Sequence, residues 1–84
     1  MGETGKKVGT VTHYYSHLNV GTVVIDEPVK VGDQISFKGF TTNFKQTLSD
    51  MQFNHQPVQA AEKGQEVGIK VTEKVRESDV MYTT

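Results

Sequence analysis

The chain has 84 residues, enough for one small domain, and its nine basic and ten acidic side chains leave a net charge of −1. Without cysteine it can form neither a disulfide nor a thiolate metal site. Its apolar runs are too short for a membrane helix, and its first residues lack the apolar segment of a signal peptide. We expect a cytoplasmic monomer that contacts no membrane, with residues 1–6 as a flexible tail and residues 7–84 as one domain. Such balanced charge argues against non-specific binding to nucleic acid.

The first two predicted elements are strands. Alternation along Lys7–Tyr15 predicts that Val11, His13 and Tyr15 lie on one face. In Val20–Ile25, apolar side chains occupy both odd and even positions and so lie on both faces, which predicts a strand covered on both sides.

A turn and two extended segments follow. Residues 30–33 (Lys-Val-Gly-Asp) predict a turn with Gly32 at positive φ, and Gln34–Lys38 then alternates as a half-buried strand does. In residues 45–56 the apolar alternation changes parity along the segment. One extra residue would restore a single core face, so we expect a β-bulge or a sharp bend near positions 49–50.

The last third of the chain predicts at most one helical turn and two strands. Residues 57–63 have the composition of a single helical turn, and Gly64 is its expected left-handed end. Residues 66–72 alternate cleanly, and Val80 and Tyr82 belong to the final strand.

Six short strands separated by tight turns predict an all-β barrel or sandwich. The pattern alone is compatible with an oligonucleotide-binding barrel or an SH3-like barrel. The side chains expected to face the core are Val11, Val23, Ile25, Ile35, Phe37, Leu48, Met51, Phe53, Val67, Ile69 and Val71.

Residue spacing does not favour catalysis or metal binding. His13 and His17 are four residues apart, which on a strand separates them by about 13 Å, too far for two ligands of one zinc ion. None of the serines has the flanking glycines of a strained nucleophile turn. Residues 5–7 (Gly-Lys-Lys) lack the rest of a phosphate-binding loop. We therefore expect no enzymatic activity and no metal, nucleotide or other cofactor.

Five short segments, taken in order, resemble a known family. They are residues 9–12, 29–39, 48–52, 61–69 and 76–80. Together they resemble the second-domain β-barrel of elongation factor Tu and, most closely, free-standing translation elongation factor-like proteins. The chain is also similar to the C-terminal barrel of the collagenase-like peptidase family. The resemblance implies a small closed six-stranded antiparallel β-barrel.

For function, the resemblance implies a non-enzymatic binding module that contacts RNA, either tRNA or the ribosome. It places the binding edge on the strand 51–56, where Gln52, Asn54 and Gln56 would project together, and on the turn before Val67. The residues expected to bind RNA or a partner are Gln52, Asn54, His55, Gln56, Glu66, Lys70, Lys74 and Arg76.

The alternative function is a protein-interaction adaptor that acts in trans with a catalytic partner, such as a collagenase-like peptidase. It would bind a protein through Phe40 or Phe44 in a salt-insensitive way. In that family the residue at position 78 is usually glycine, whereas this chain has Ser78.

Overall fold

The computed structural model describes residues 5–83, so the expected tail at 1–6 lies outside the described residues except for its last two positions. Ten strands and no helix are found within this range. In chain order they are β1 (Lys7–Tyr15), β2 (Val20–Ile25), β3 (Val29–Lys30), β4 (Gln34–Lys38), β5 (Asn43–Thr47), β6 (Met51–Phe53), β7 (Gln56–Pro57), β8 (Ala60–Ala61), β9 (Glu66–Lys70) and β10 (Val80–Thr83).

The strands form one large sheet and one small ladder. The large sheet has eight strands in the order β5-β4-β10-β1-β2-β9-β6-β7, and β3 pairs separately with β8. Every strand pair is antiparallel, which confirms the all-β prediction. Within residues 5–83 the strand order does not close on itself, so the closed six-stranded barrel is not found. Residues 45–56, expected to form one extended segment with a bulge or bend near 49–50, are divided among β5, β6 and β7.

One face of the sheet supplies the apolar core. All the side chains predicted to face inward are buried except Phe53, which is half-buried and packs against the others. The sequence prediction missed six further core residues, which are Val8, Val29, Phe44, Ala61, Val75 and Met81.

A bulge in β1 changes which residues share a face. The pairing of β1 with β2 shifts register between Val11 and His13. Val11 is buried, whereas His13 and Tyr15 are exposed and Tyr14 packs against the core. The prediction that Val11, His13 and Tyr15 lie on one face is therefore wrong, because the bulge reverses the parity of the strand after it.

The expected interruption near 49–50 is present. Strand β5 ends at Thr47 and β6 begins at Met51, and both Leu48 and Met51 are buried. Because three residues separate the two strands, Leu48 and Met51 both face the core, although they would lie on opposite faces of an unbroken strand.

Residues 57–63, for which the sequence predicted at most one helical turn, form no helix. This segment contains the end of β7 and the strand β8, in which Ala61 is buried opposite Val29. Ala61 is buried against the neighbouring short strand, so tertiary packing decides the conformation over helical propensity.

The side chain of Gln46 connects the edge strand β5 to the chain after β9. Its Nε2 donates to the carbonyl oxygen of Lys70 at 2.8 Å, and its Oε1 accepts from the backbone N–H of Thr72 at 2.9 Å. The carboxamide thus satisfies one backbone acceptor and one backbone donor, as a paired strand would. The sheet is curved enough to bring β5 beside the end of β9.

Three turns share one hydrogen-bonding pattern, at residues 30–33, 62–65 and 76–79. In each, the backbone N–H of the first residue donates to a side-chain oxygen of the fourth, at 2.8–3.0 Å. The N–H of the fourth residue donates back to the carbonyl of the first at 3.1 Å. The fourth residues are Asp33, Gln65 and Asp79.

The third residue of each turn has a positive φ, as a type II turn requires. The angles are 103° at Gly32, 90° at Gly64 and 75° at Ser78. The first two confirm the expected left-handed glycines. Ser78 adopts the same conformation with a Cβ atom, which an L-residue rarely does without strain.

We predict that Ser78→Gly stabilises the protein. A left-handed conformation costs an L-residue about 1–2 kcal/mol, and the added flexibility of glycine in the unfolded chain offsets part of the gain. Urea denaturation should show the free energy of unfolding rising by about 0.5–1 kcal/mol. Gly64→Ser, the reverse change in an equivalent turn, should lower it, and a lower stability of Ser78→Gly would contradict this account.

We predict that Ile69→Ala destabilises the protein by about 2–5 kcal/mol, because it leaves a cavity in the core. Ile69 is fully buried in the middle of β9. Urea denaturation followed by far-UV circular dichroism measures the change. Lys45→Ala, at an exposed position of β5, is the control, and equal effects of the two substitutions would show that the core assignment is wrong.

Candidate functional site

A groove of about 460 Å³ runs over the outer face of β2, β9 and β6. We call it the β9 groove, because alternate residues of β9 form its floor. Residues that line it, with those of the adjoining depression, are Tyr15, Leu18, Val20, Thr22, Asp50, Gln52, Asn54, His55, Glu66, Gly68 and Lys70. The groove brings together four of the eight residues predicted to bind, Gln52, Asn54, His55 and Glu66, and the adjoining depression adds Lys70.

The groove exists because Gly68 has no side chain. Gly68 pairs with Thr22 of β2 on one side and with Gln52 of β6 on the other. A Cβ atom placed on Gly68 would lie 3.3 Å from Cγ1 of Val20, so even a methyl group would occupy the floor. The neighbours of Gly68 along the strand, Val67 and Ile69, face the core.

The carboxylate of Glu66 is held in place at one end of the floor. Thr12 Oγ1 donates to Glu66 Oε2 at 2.6 Å. The hydroxyls of Thr12 and Thr22 are 2.8 Å apart and hydrogen-bonded, so two strands support the position of the carboxylate. Glu66 remains exposed, and its charge is available to a ligand.

The rim at this end is a tight turn rather than a strand. Asn54 and His55 have φ angles of 53° and 64°, the pattern of a two-residue type I′ hairpin turn between β6 and β7. The prediction that Gln52, Asn54 and Gln56 project together from one strand is therefore wrong. Gln56 pairs with Phe53 on the returning strand and thus shares the face of Phe53, opposite to that of Gln52.

Only one of the three basic residues predicted to bind lies at the groove. Lys70 lines the far end of the groove beside Asp50. Lys74 is exposed in the segment after β9, and Arg76 begins the turn at 76–79. Neither of these two lines the groove or the adjoining depression.

Sequence reasoning missed the apolar wall of the groove. Tyr15 and Leu18 are 40% and 53% exposed, and half-buried Val20 continues the wall towards Gly68. The sequence signal that could have revealed it is Leu18, because a large aliphatic side chain in an otherwise polar turn cannot be buried in the core.

A second exposed feature is the tip of the β4–β5 hairpin. Phe40 is 102% exposed, and the tip is closed by a hydrogen bond from Gly39 N–H to the Thr42 carbonyl at 2.8 Å. Phe44 is buried and stacks on Phe37, with ring centroids 5.2 Å apart. Of the two phenylalanines proposed for partner binding, Phe40 is therefore the one that a partner can reach.

His13 and His17 are exposed, and His13 Nδ1 lies 3.5 Å from a carboxylate oxygen of Glu77. Within residues 5–83, no three or more histidine and acidic side chains are grouped so as to hold a metal ion. The same part of the chain has no helix long and apolar enough to span a membrane.

Comparison with curated proteins finds protease relatives. No protein-family model matches the chain. It is 35% identical over 77 residues to an uncharacterized protease of Methanocaldococcus jannaschii, a match that covers 90% of this chain and 19% of that protein. It is 38% identical over 85 residues to a collagenase of Porphyromonas gingivalis, covering 96% of this chain and 24% of the collagenase. The chain thus spans about a fifth to a quarter of the length of these relatives.

Solved structures give the same fold. Two crystal structures of the C-terminal domain of a putative U32 peptidase from Geobacillus thermoleovorans superpose with TM-scores of 0.87 and 0.88, at 24% and 23% identity. These matches cover 92% and 94% of this chain, and 98% and 92% of those chains.

The sequence relatives are a protease and a collagenase, and the solved structures show that the chain has the fold of the C-terminal domain of a putative U32 peptidase. They support the collagenase-like part of the resemblance and not the elongation factor Tu part. The predictions of a translation elongation factor-like protein, of RNA binding and of a role in protein biosynthesis are wrong. The segments that suggested them are turns and alternating strands, which many small antiparallel domains need whatever they bind.

We predict that Gly68→Ala changes the free energy of unfolding by less than about 1 kcal/mol, since Val20 needs to move by only a few tenths of an ångström and alanine suits a strand better than glycine. Gly9→Ala is the contrasting variant. A Cβ atom there would lie 2.5 Å from Val23 Cγ1 and 2.9 Å from the Val24 carbonyl oxygen. It should be strongly destabilised in the same urea titration, and equal stability of the two variants would contradict the open floor at Gly68.

Proposed function

We propose that this chain is a non-catalytic accessory domain that binds the catalytic part of a collagenase-like peptidase, in the same or in a separate polypeptide. The observation that carries the proposal is that 90–96% of the chain aligns with only a fifth to a quarter of a protease and of a collagenase. The remainder of those proteins has room for a catalytic domain of its own.

The exposed side chain of Phe40 supports the proposal that the domain binds a protein. It stands at the end of a hairpin whose strands are paired up to Lys38 and Asn43, so the backbone that carries it is held before binding. Burying a phenylalanine side chain contributes about 1.5–3 kcal/mol, and aromatic anchors are enriched at the centres of protein interfaces. Just below the tip, Lys38 Nζ donates to Asn43 Oδ1 at 3.0 Å, which links the two strands.

The surroundings of the histidines support a non-catalytic role. A hydrolytic site needs a base within hydrogen-bond reach of a nucleophile and an orienting group. His13 has the Glu77 carboxylate and the Tyr15 ring beside it, with ring centroids 4.5 Å apart, but no serine or threonine hydroxyl within residues 5–83 is hydrogen-bonded to its imidazole. His55 occupies the hairpin turn at the rim of the groove.

We predict that Phe40→Ala weakens binding to a collagenase-like protein from the same cell by at least about tenfold, a change of 1.4 kcal/mol, without altering the unfolding curve. Binding should change little between about 0.1 and 0.5 M salt, because the anchor is apolar. Surface plasmon resonance with the purified partner measures both effects.

Leu18→Ala is the matched control for this experiment, since Leu18 is also an exposed large apolar side chain but lies at the β9 groove. It should leave this affinity unchanged. Binding that persists in Phe40→Ala, or that disappears at the higher salt concentration, would reject the proposal.

A further inference from the structure

We propose that the β9 groove binds a short extended peptide that carries a lysine or arginine two residues from an aliphatic side chain. This site goes beyond the proposed function, because Phe40 is not among the residues that line the β9 groove. The inference rests on what three alternate residues of β9 present to solvent.

The outward residues of β9 present a negative charge, a space and a positive charge. Glu66, Gly68 and Lys70 alternate with the buried Val67 and Ile69. Side chains on one face of a strand are about 7 Å apart, and an extended peptide lying along the groove repeats at the same spacing. A peptide side chain over Gly68 therefore places the next side chain on the same face over Glu66.

The space over Gly68 suits an aliphatic side chain. Leu18 and Val20 form its wall on the β2 side, and Gln52 and Asn54 line the opposite rim. An amide both donates and accepts hydrogen bonds, so the two amide side chains can meet the N–H and C=O groups of a peptide backbone. The groove therefore fits a peptide whose aliphatic side chain packs against the apolar wall and whose backbone hydrogen-bonds to the amide side chains on the opposite rim.

The charge balance selects a cation at the Glu66 end. The Glu66 carboxylate is held by Thr12, so it loses little freedom when it pairs with a lysine or an arginine. At the other end, Asp50 and Lys70 both line the surface, and their charges offset each other. The groove therefore distinguishes positively from negatively charged peptide side chains chiefly at Glu66.

The test uses fluorescently labelled peptides with blocked ends and the whole chain. Because the direction of the peptide along β9 is open, both Thr-Lys-Thr-Leu-Thr and Thr-Leu-Thr-Lys-Thr are titrated by fluorescence anisotropy. The better of the two should bind at least about tenfold more tightly than the same peptide with glutamate in place of lysine.

Three variants locate the site. Glu66→Lys should invert the preference, so that the glutamate peptide binds more tightly than the lysine peptide. Gly68→Val, which fills the floor, should weaken both peptides by about tenfold or more. Phe40→Ala should leave peptide binding unchanged while it weakens the peptidase partner, so that failure of the two proposals can be distinguished.

Several results would overturn the inference. They are equal affinity for the lysine and glutamate peptides, no saturable binding at about 1 mM peptide, and an unchanged preference in Glu66→Lys. Full affinity in a folded Gly68→Val variant would do so too, as would tighter binding of an RNA hairpin than of either peptide.

Discussion

One hydrogen-bonded turn, used three times, sets the course of the chain into three of its strands. In each copy the fourth residue closes the turn with both its backbone and its side chain. These turns precede β4, β9 and β10. Because a slip of one residue would exchange the inward and outward faces of a strand, the position of each turn decides which side chains enter the core. The core, the groove and the edge of the sheet all depend on that choice.

The core holds together because the sheet is curved. β5 is an edge strand in the pairing order, yet the Gln46 carboxamide joins it to the chain that follows β9. This is a side-chain substitute for a strand ladder, and it satisfies backbone groups that would otherwise be costly to remove from water. It also brings Leu48 and Met51, on either side of the break between β5 and β6, into one cluster with Ile69.

The two candidate surfaces differ in the way each is built. The hairpin tip offers a single apolar side chain on a stiff support, which suits a pocket on a folded partner. The β9 groove offers a shallow channel with fixed charge and amide groups, which suits an extended ligand. A domain that accompanies a peptidase can use both, one to hold the catalytic part and one to hold a chain segment.

The comparisons show how little the fold says about function here. Alternating strands and glycine turns are shared by small β domains that bind quite different molecules. In this chain they suggested a translation factor, whereas the relatives are a protease and a collagenase. The strained residues are more informative than the regular ones, because Asn54 and His55 keep a left-handed turn at the groove rim where a glycine would be easier.

The sequence by itself determined the all-β class and the left-handed turns at Gly32 and Gly64, because the alternation of apolar side chains and the backbone freedom of glycine are local properties. For the same reason, nearly all the side chains that it predicted to face the core are buried. It also indicated the interruption between Leu48 and Met51. Tertiary structure alone decided what depends on distant contacts. The bulge that turns His13 outward, the strand at Ala61, and the link from Gln46 to the end of β9 all require partners far along the chain. The groove belongs to the same class, since the space over Gly68 becomes a site only when β2 and β6 lie on either side of it.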